Sequence, residues 1–139
     1  RDQAIPDEIT PRKSDFEADE SWLDVAEARP LTEDDLTFDV LRAGLARAGD
    51  VPVLLVNEPM FISDGANSDL RYNTFYPRWA YDDYRAQLEA AAAAGGWNFL
   101  DLWDAIPPSE FSDTPVHLTP EGTRQLAELL APSILAVAD

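Results

Sequence analysis

Between Asp50 and Asn57 the chain reads Val51-Pro52-Val53-Leu54-Leu55-Val56, a continuous apolar run closed by Asn57-Glu58-Pro59. A strand with one wet face needs apolar residues only at alternate positions. An unbroken run therefore predicts a strand buried on both faces, as in parallel sheets. Such a strand demands neighbours at its edges and helices on its faces. The flanking sequence supplies the helices. Upstream, Thr32 reads as an N-cap, and Glu33, Asp34 and Asp35 suit the positive end of a helix dipole. Leu36, Val40, Leu41 and Leu45 then form one apolar stripe that Gly49 ends.

Downstream, Pro77 opens a second helix carrying Trp79, Tyr84, Leu88 and the alanine run Ala90 to Ala94, stopped by Gly95-Gly96. Trp97-Asn98-Phe99-Leu100-Asp101-Leu102 predicts a second strand. Thr119 caps a last helix with Pro120 at its first position, and Leu126, Leu129, Leu130, Ile134 and Leu135 supply its apolar side. Pro132 predicts a kink or interruption within it. The order helix–strand–helix–strand–helix is an α/β pattern with crossover-length connections. Two strands are fewer than the roughly five of an ordinary open sheet. Either residues 1–31 supply unexpected structure, or the missing strands belong to sequence outside this chain.

Composition narrows the partners. Ten Lys and Arg against 27 Asp and Glu leave a net charge of −17. Nucleic acid and anionic lipid both need cationic neutralisation, so neither is expected as a partner. No cysteine is present, which excludes disulfides, thiolate metal sites and a Cys nucleophile. The chain begins at Arg1 without an initiator Met or a signal pattern, as a processed or nicked product would. Residues 1–31 are polar, with Pro6, Pro11, Pro30 and the acidic run Asp15-Phe16-Glu17-Ala18-Asp19-Glu20. They read as an extended, partly mobile arm or insertion. Ser21 to Ala26 form a candidate helical turn that docks through Trp22.

The only histidine lies in Phe111-Ser112-Asp113-Thr114-Pro115-Val116-His117-Leu118-Thr119-Pro120-Glu121-Gly122. An Asp, a Pro-containing turn and a His ahead of a helix start can set one imidazole beside one carboxylate. A carboxylate-oriented His is the usual proton carrier of hydrolysis, whereas a lone His can equally serve a hydrogen bond near a helix N-terminus. Asp101 and Asp104 compete with Asp113 as orienting groups, although capping and loop solvation suit them better. Asp64, Asn67 and Asp69 do not match the spacing of a calcium loop, so no metal is expected there. Tyr72, Phe75, Tyr76, Trp79 and Tyr81 read first as core aromatics.

Three landmarks resemble, in order, the C-terminal part of the SGNH (GDSL-like) hydrolase family. Val53-Leu54-Leu55-Val56-Asn57-Glu58-Pro59 looks like its penultimate strand, and Phe99-Leu100-Asp101-Leu102 like its final strand. Asp113 and His117, followed by Leu118-Thr119-Pro120-Glu121-Gly122, look like its last signature block, with Asp and His four positions apart rather than three. The resemblance covers about residues 32–137. It implies a flavodoxin-like α/β sheet in residues 32–139, with residues 1–31 as the separate arm. It also implies a serine esterase or acyltransferase acting on O-acyl groups of a carbohydrate or lipid, with no cofactor.

In that family's mechanism His117 is the base that takes the serine proton, and Asp113 fixes its tautomer. Asn57, Tyr72, Tyr76 and Trp79 fall in the region that borders the family's substrate pocket. The Gly-Asp-Ser block, the oxyanion Gly and the Gly-x-Asn-Asp block have no counterpart here. None of Ser14, Ser21, Ser63, Ser68, Ser109, Ser112 or Ser133 follows a strand in the nucleophile's context. The chain is thus expected to carry half of an active site. It would be inactive alone and partnered by the missing N-terminal segment of the same domain or another polypeptide. Relatives that modify cell-surface polymers imply an extracytoplasmic setting with an N-terminal anchor. The competing expectations are a non-catalytic binding or assembly subunit that keeps the fold and has lost the nucleophile, and an acidic interaction module whose N-terminal arm is the functional part.

Overall fold

The structure, a computed structural model, describes residues 12–138. Strands β1 (Leu54–Asn57) and β2 (Asn98–Asp101) pair in parallel, Leu54 opposite Asn98 through Asn57 opposite Asp101. Helices α1 (Phe38–Ala48), α2 (Arg78–Gly95) and α3 (Pro120–Ala138) alternate with them, and short 3-10 turns cover Glu33–Asp35 and Pro108–Glu110. The chain is therefore mixed α/β with a two-stranded parallel sheet among the described residues. Leu102 N–H donates to Asn57 O at 3.0 Å. In a parallel ladder this orients Leu55 and Asn57 toward β2, so the amides and carbonyls of Leu54 and Val56 face the other edge, which pairs with no strand among the described residues.

Local chemistry explains most boundaries. Gly49 closes α1 at φ 61°, and Gly96 closes α2 in the left-handed region while its N–H returns to Ala92 and Ala93 carbonyls. Thr119 caps α3, its hydroxyl accepting the Gly122 amide at 3.0 Å. Three expectations need correction. The helix expected from Thr32 begins only at Phe38. The Asp35 carboxylate accepts both the amide and the hydroxyl of Thr32 and is clamped by Arg29 at 2.7 Å. That closes a single 3-10 turn, after which Leu36 turns extended and is buried. Pro132 does not interrupt α3, which runs through it to Ala138. The carbonyl a proline leaves unbonded in a helix, here that of Glu128, lies on an exposed turn. Trp22 to Val25 form a tight two-bond hairpin turn with Leu23 at φ 51°, not a helical turn.

The core gathers at the C-terminal end of β1. The segment after Pro59 stays extended, so successive side chains take opposite sides. Met60 joins Tyr72 and Tyr81, while Phe61 joins Ile106 and Phe111. Asn73, fully buried, braces this segment. Its amide donates to Phe61 O at 3.0 Å and its carbonyl accepts the Phe75 and Tyr76 amides. α1 buries none of its residues, and Val40 is 64% exposed. Its stripe, Leu55, Tyr81 and Tyr84 instead wall an open apolar groove of about 870 Å³.

Residues 12–22 lie strapped over the loop that follows β1. Phe16 N–H donates to Ala66 O, Asn67 Nδ2 to Phe16 O, and Trp79 Nε1 to Glu20 O. Arg71, 8% exposed, spends its guanidinium on the carbonyls of Asp19, Ser21, Asn73 and Thr74. The passage is tight, because a Cβ on Gly65 would stand 2.3 Å from Ser14 O and 2.5 Å from Asp15 Oδ1. Gly65→Ala should therefore lift the strap and cost about 1–3 kcal/mol. Urea unfolding and the rate of proteolysis within residues 12–22 measure both effects, and a wild-type rate would contradict the packing.

Candidate active site

The His-bearing turn is built on buried anchors. Phe111 and Leu118 form an isolated antiparallel bridge that closes a loop from Ser112 to His117. Ser112 N–H donates to His117 O at 2.8 Å, and Thr119 N–H to Glu110 O at 2.8 Å. Thr114 Oγ1 accepts the amides of Val116 and His117 at 3.3 and 3.1 Å, a side-chain turn typical of Thr. Thr114, Pro115 and Val116 thereby absorb the long Asp-to-His spacing. Pro115 is buried, and its carbonyl accepts the Phe61 amide at 2.8 Å.

Phe111 itself is 1% exposed and packs edge-on against Phe61 with centroids 6.2 Å apart. Truncating such a side chain costs about 3–5 kcal/mol. An exposed ion pair contributes far less. The position of the turn is thus decided by Phe111 and not by its polar pair. At the other end, Gly122 lets α3 approach closely, since a Cβ there would meet Glu110 Cβ and O at 2.9 Å.

On this platform His117 Nδ1 lies 3.0 Å from Asp113 Oδ1, the side chains 63% and 35% exposed. The imidazole beside it, and then the Ser112 hydroxyl, hold the Asp113 carboxyl below the usual carboxylate range. With Nδ1–H donated to Asp113, Nε2 carries the lone pair, and among the described residues no protein group bonds it. His117, Glu58, Thr123 and Leu126 border a shallow pocket of about 500 Å³. Glu58 and Pro59 directly follow β1, so the pocket opens at the C-terminal edge of the sheet, the usual ligand edge of open α/β folds. The arrangement can accept a proton at Nε2 and hold the resulting imidazolium against a carboxylate. No protein-family model, no curated protein and no solved structure matches this chain.

The other candidates are placed apart from His117. Asn57 is 9% exposed and donates to Asp101 Oδ1 at 2.8 Å and Tyr81 Oη at 3.1 Å, closing the strand ends. Asp101 also takes Arg85 at 2.7 Å, so it is committed to this network and not to His117. Tyr72 donates its hydroxyl to Asp82 at 2.7 Å and is buried. Burial, followed by that carboxylate, raises its phenol above the ordinary value. Tyr76 walls the apolar groove. Trp79 packs edge-on against Trp22 beneath the strap. Asn67 faces the strap through Phe16 O, and among the described residues no cluster of three His, Asp or Glu side chains is placed to hold a metal.

Sequence reasoning missed Ser112, Thr114 and Glu58 as neighbours of the pair. Thr114 was readable, since a Thr two and three residues ahead of unbonded amides favours such a turn. Glu58 was not, because only the fold brings residue 58 to residue 117.

The lowered Asp113 carboxyl has a defined pH consequence. A carboxylate depressed in the folded state keeps its contribution above its unfolded value and loses it as pH falls through the folded one. The Asp113 carboxyl carbon should therefore titrate by NMR with a midpoint below 3.8. His117→Ala, which removes the largest cause, should move the midpoint back toward 3.8. A midpoint at or above that value in the parent chain would refute the pairing in solution.

Proposed function

We propose that this chain is the C-terminal part of an SGNH-type serine esterase or acyltransferase acting on O-acyl groups of a carbohydrate or lipid, with His117 as base and Asp113 as its orienting carboxylate. The observation that carries the reading is the 3.0 Å contact between His117 Nδ1 and Asp113 Oδ1, on a histidine that borders a pocket at the C-terminal edge of the strands. In this mechanism Nε2 takes the proton of an attacking serine hydroxyl, and the imidazolium then protonates the leaving alcohol. The nucleophile and oxyanion donors come from a complementing segment, the missing N-terminal part of the same domain or another polypeptide. Two features support a complement. Among the described residues, Leu54 and Val56 present backbone groups at an edge that no strand pairs, and the neighbouring groove leaves the stripe of α1 uncovered. That uncovered groove also favours a second reading, a non-catalytic binding or assembly subunit with a hydrolase-like fold.

Turnover separates the two. The 139-residue chain alone should not hydrolyse an aryl acetate, because a His–Asp pair without nucleophile and oxyanion donors lacks the parts for covalent chemistry. With the complementing segment, hydrolysis should appear. His117→Ala should then cost several orders of magnitude in turnover, and Asp113→Ala less. Retention of more than about a tenth of the rate in His117→Ala replaces the triad reading with the non-catalytic one.

The open edge has its own expected outcome. The chain alone should associate or unfold with low cooperativity, and the Leu54 and Val56 amides should exchange faster than those of Leu55 and Asn57. Sedimentation and hydrogen exchange read this. A monomer that melts cooperatively, with all four amides protected, would show that no complement is needed.

A further inference from the structure

Asp113 and His117 are both substantially exposed, so water competes for each side chain. A carboxylate also swings about a broad, roughly two-fold torsion. A single bond to an exposed imidazole is a weak hinge for such a rotor. Ser112 adds a second bond. Its hydroxyl donates to Asp113 Oδ1 at 3.0 Å, on the same oxygen that receives His117 Nδ1. Its backbone N–H meanwhile grips His117 O at 2.8 Å. Its hydroxyl also lies 3.2 Å from His117 O, so Ser112 touches both members of the pair, and its nearer side-chain contact is the Asp113 carboxylate. Its own place is secured by the buried Phe111 on one side and by the Arg12 amide, which donates to Ser112 O at 3.4 Å.

We infer that Ser112 is the positioning residue of this site: its hydroxyl locks the Asp113 carboxylate in the rotamer that receives His117 Nδ1–H, and so sets the imidazole tautomer. The same geometry excludes Ser112 as the nucleophile, because its hydroxyl is spent on the carboxylate side of the ring. The inference rests on the reading of His117 as base, but its readout does not, since a tautomer is measured without substrate.

The test exploits the single histidine, whose ring nitrogens are the only imidazole signals in a ¹⁵N spectrum. In the neutral imidazole, nitrogen shifts report the ratio of Nδ1–H to Nε2–H forms. The parent chain should favour Nδ1–H. Ser112→Ala should lower that ratio by about fivefold, with Asp113→Asn as the limiting case. Ser112→Thr, which keeps the hydroxyl, should restore it, and this rescue separates positioning from loss of the turn. Should Ser112→Ala fail to fold, Ser112→Cys keeps the volume with a weaker donor and should fall between. A ratio changed less than about twofold in Ser112→Ala, or equally lowered in Ser112→Thr, overturns the inference. Absence of ester hydrolysis in the complemented protein would sink the esterase reading and leave the tautomer result standing.

Discussion

The parallel pairing of Leu54–Asn57 with Asn98–Asp101 is the constraint on which the rest depends. It fixes where both strands end, and a polar network joins those ends. Asn57 bridges to Asp101 and Tyr81, Asp101 takes Arg85, and Arg85 lies over Trp103 at 4.2 Å. From the same edge the chain leaves β1 in an extended path that sends Met60 and Phe61 to opposite clusters. Burial makes those clusters the dominant stabilising contribution. Half-exposed pairs such as Arg85–Asp101 add at most about 1 kcal/mol each. Among the described residues β1, composed for two neighbours, pairs with β2 alone.

The candidate site inherits its order from this edge indirectly. The Phe61 amide holds Pro115 O, Phe61 packs on Phe111, and Asn73 pins Phe61 from behind. The turn is thus rigid because of what lies under it, while the Asp113–His117 pair stays at the surface. That division suits acid–base chemistry, in which a proton carrier must reach its substrate yet keep its orientation. It also explains why hydroxyl groups recur in the turn. Where burial cannot hold the turn, the Ser112 hydroxyl donates to the Asp113 carboxylate and the Thr114 hydroxyl accepts the His117 amide.

The acidic arm shows how misleading composition is without partners. Residues 15–20 carry four acids and read as solvated chain. Yet their backbone carbonyls face the protein, Phe16 is buried, and the Asp15 carboxylate accepts the Ala66 amide at 2.8 Å. Arg71 and Trp79 take those of Asp19, Ser21 and Glu20. Glu17, Asp19 and Glu20 remain exposed while the main chain beside them is bound, an arrangement that hydropathy cannot reveal.

Local signals settled the elements. The apolar run at Val53–Val56, the glycines at 49 and 96 and the Thr119-Pro120 start each act within a few residues, so their outcome is written in the sequence. The adjacency of Asp113 and His117 belongs to the same class, since one short turn contains both. Where two local rules competed, sequence could not arbitrate. Asp35 served Thr32 and Arg29 in a closed turn and delayed α1, and an exposed α3 tolerated Pro132. What only the tertiary structure decided is long-range: Glu58 beside His117, Asn73 beneath Phe61, the strap over Gly65, and an α1 stripe left facing a groove. Contacts between residues tens of positions apart depend on which apolar faces find a cover, and no periodicity within one segment encodes the identity of that cover.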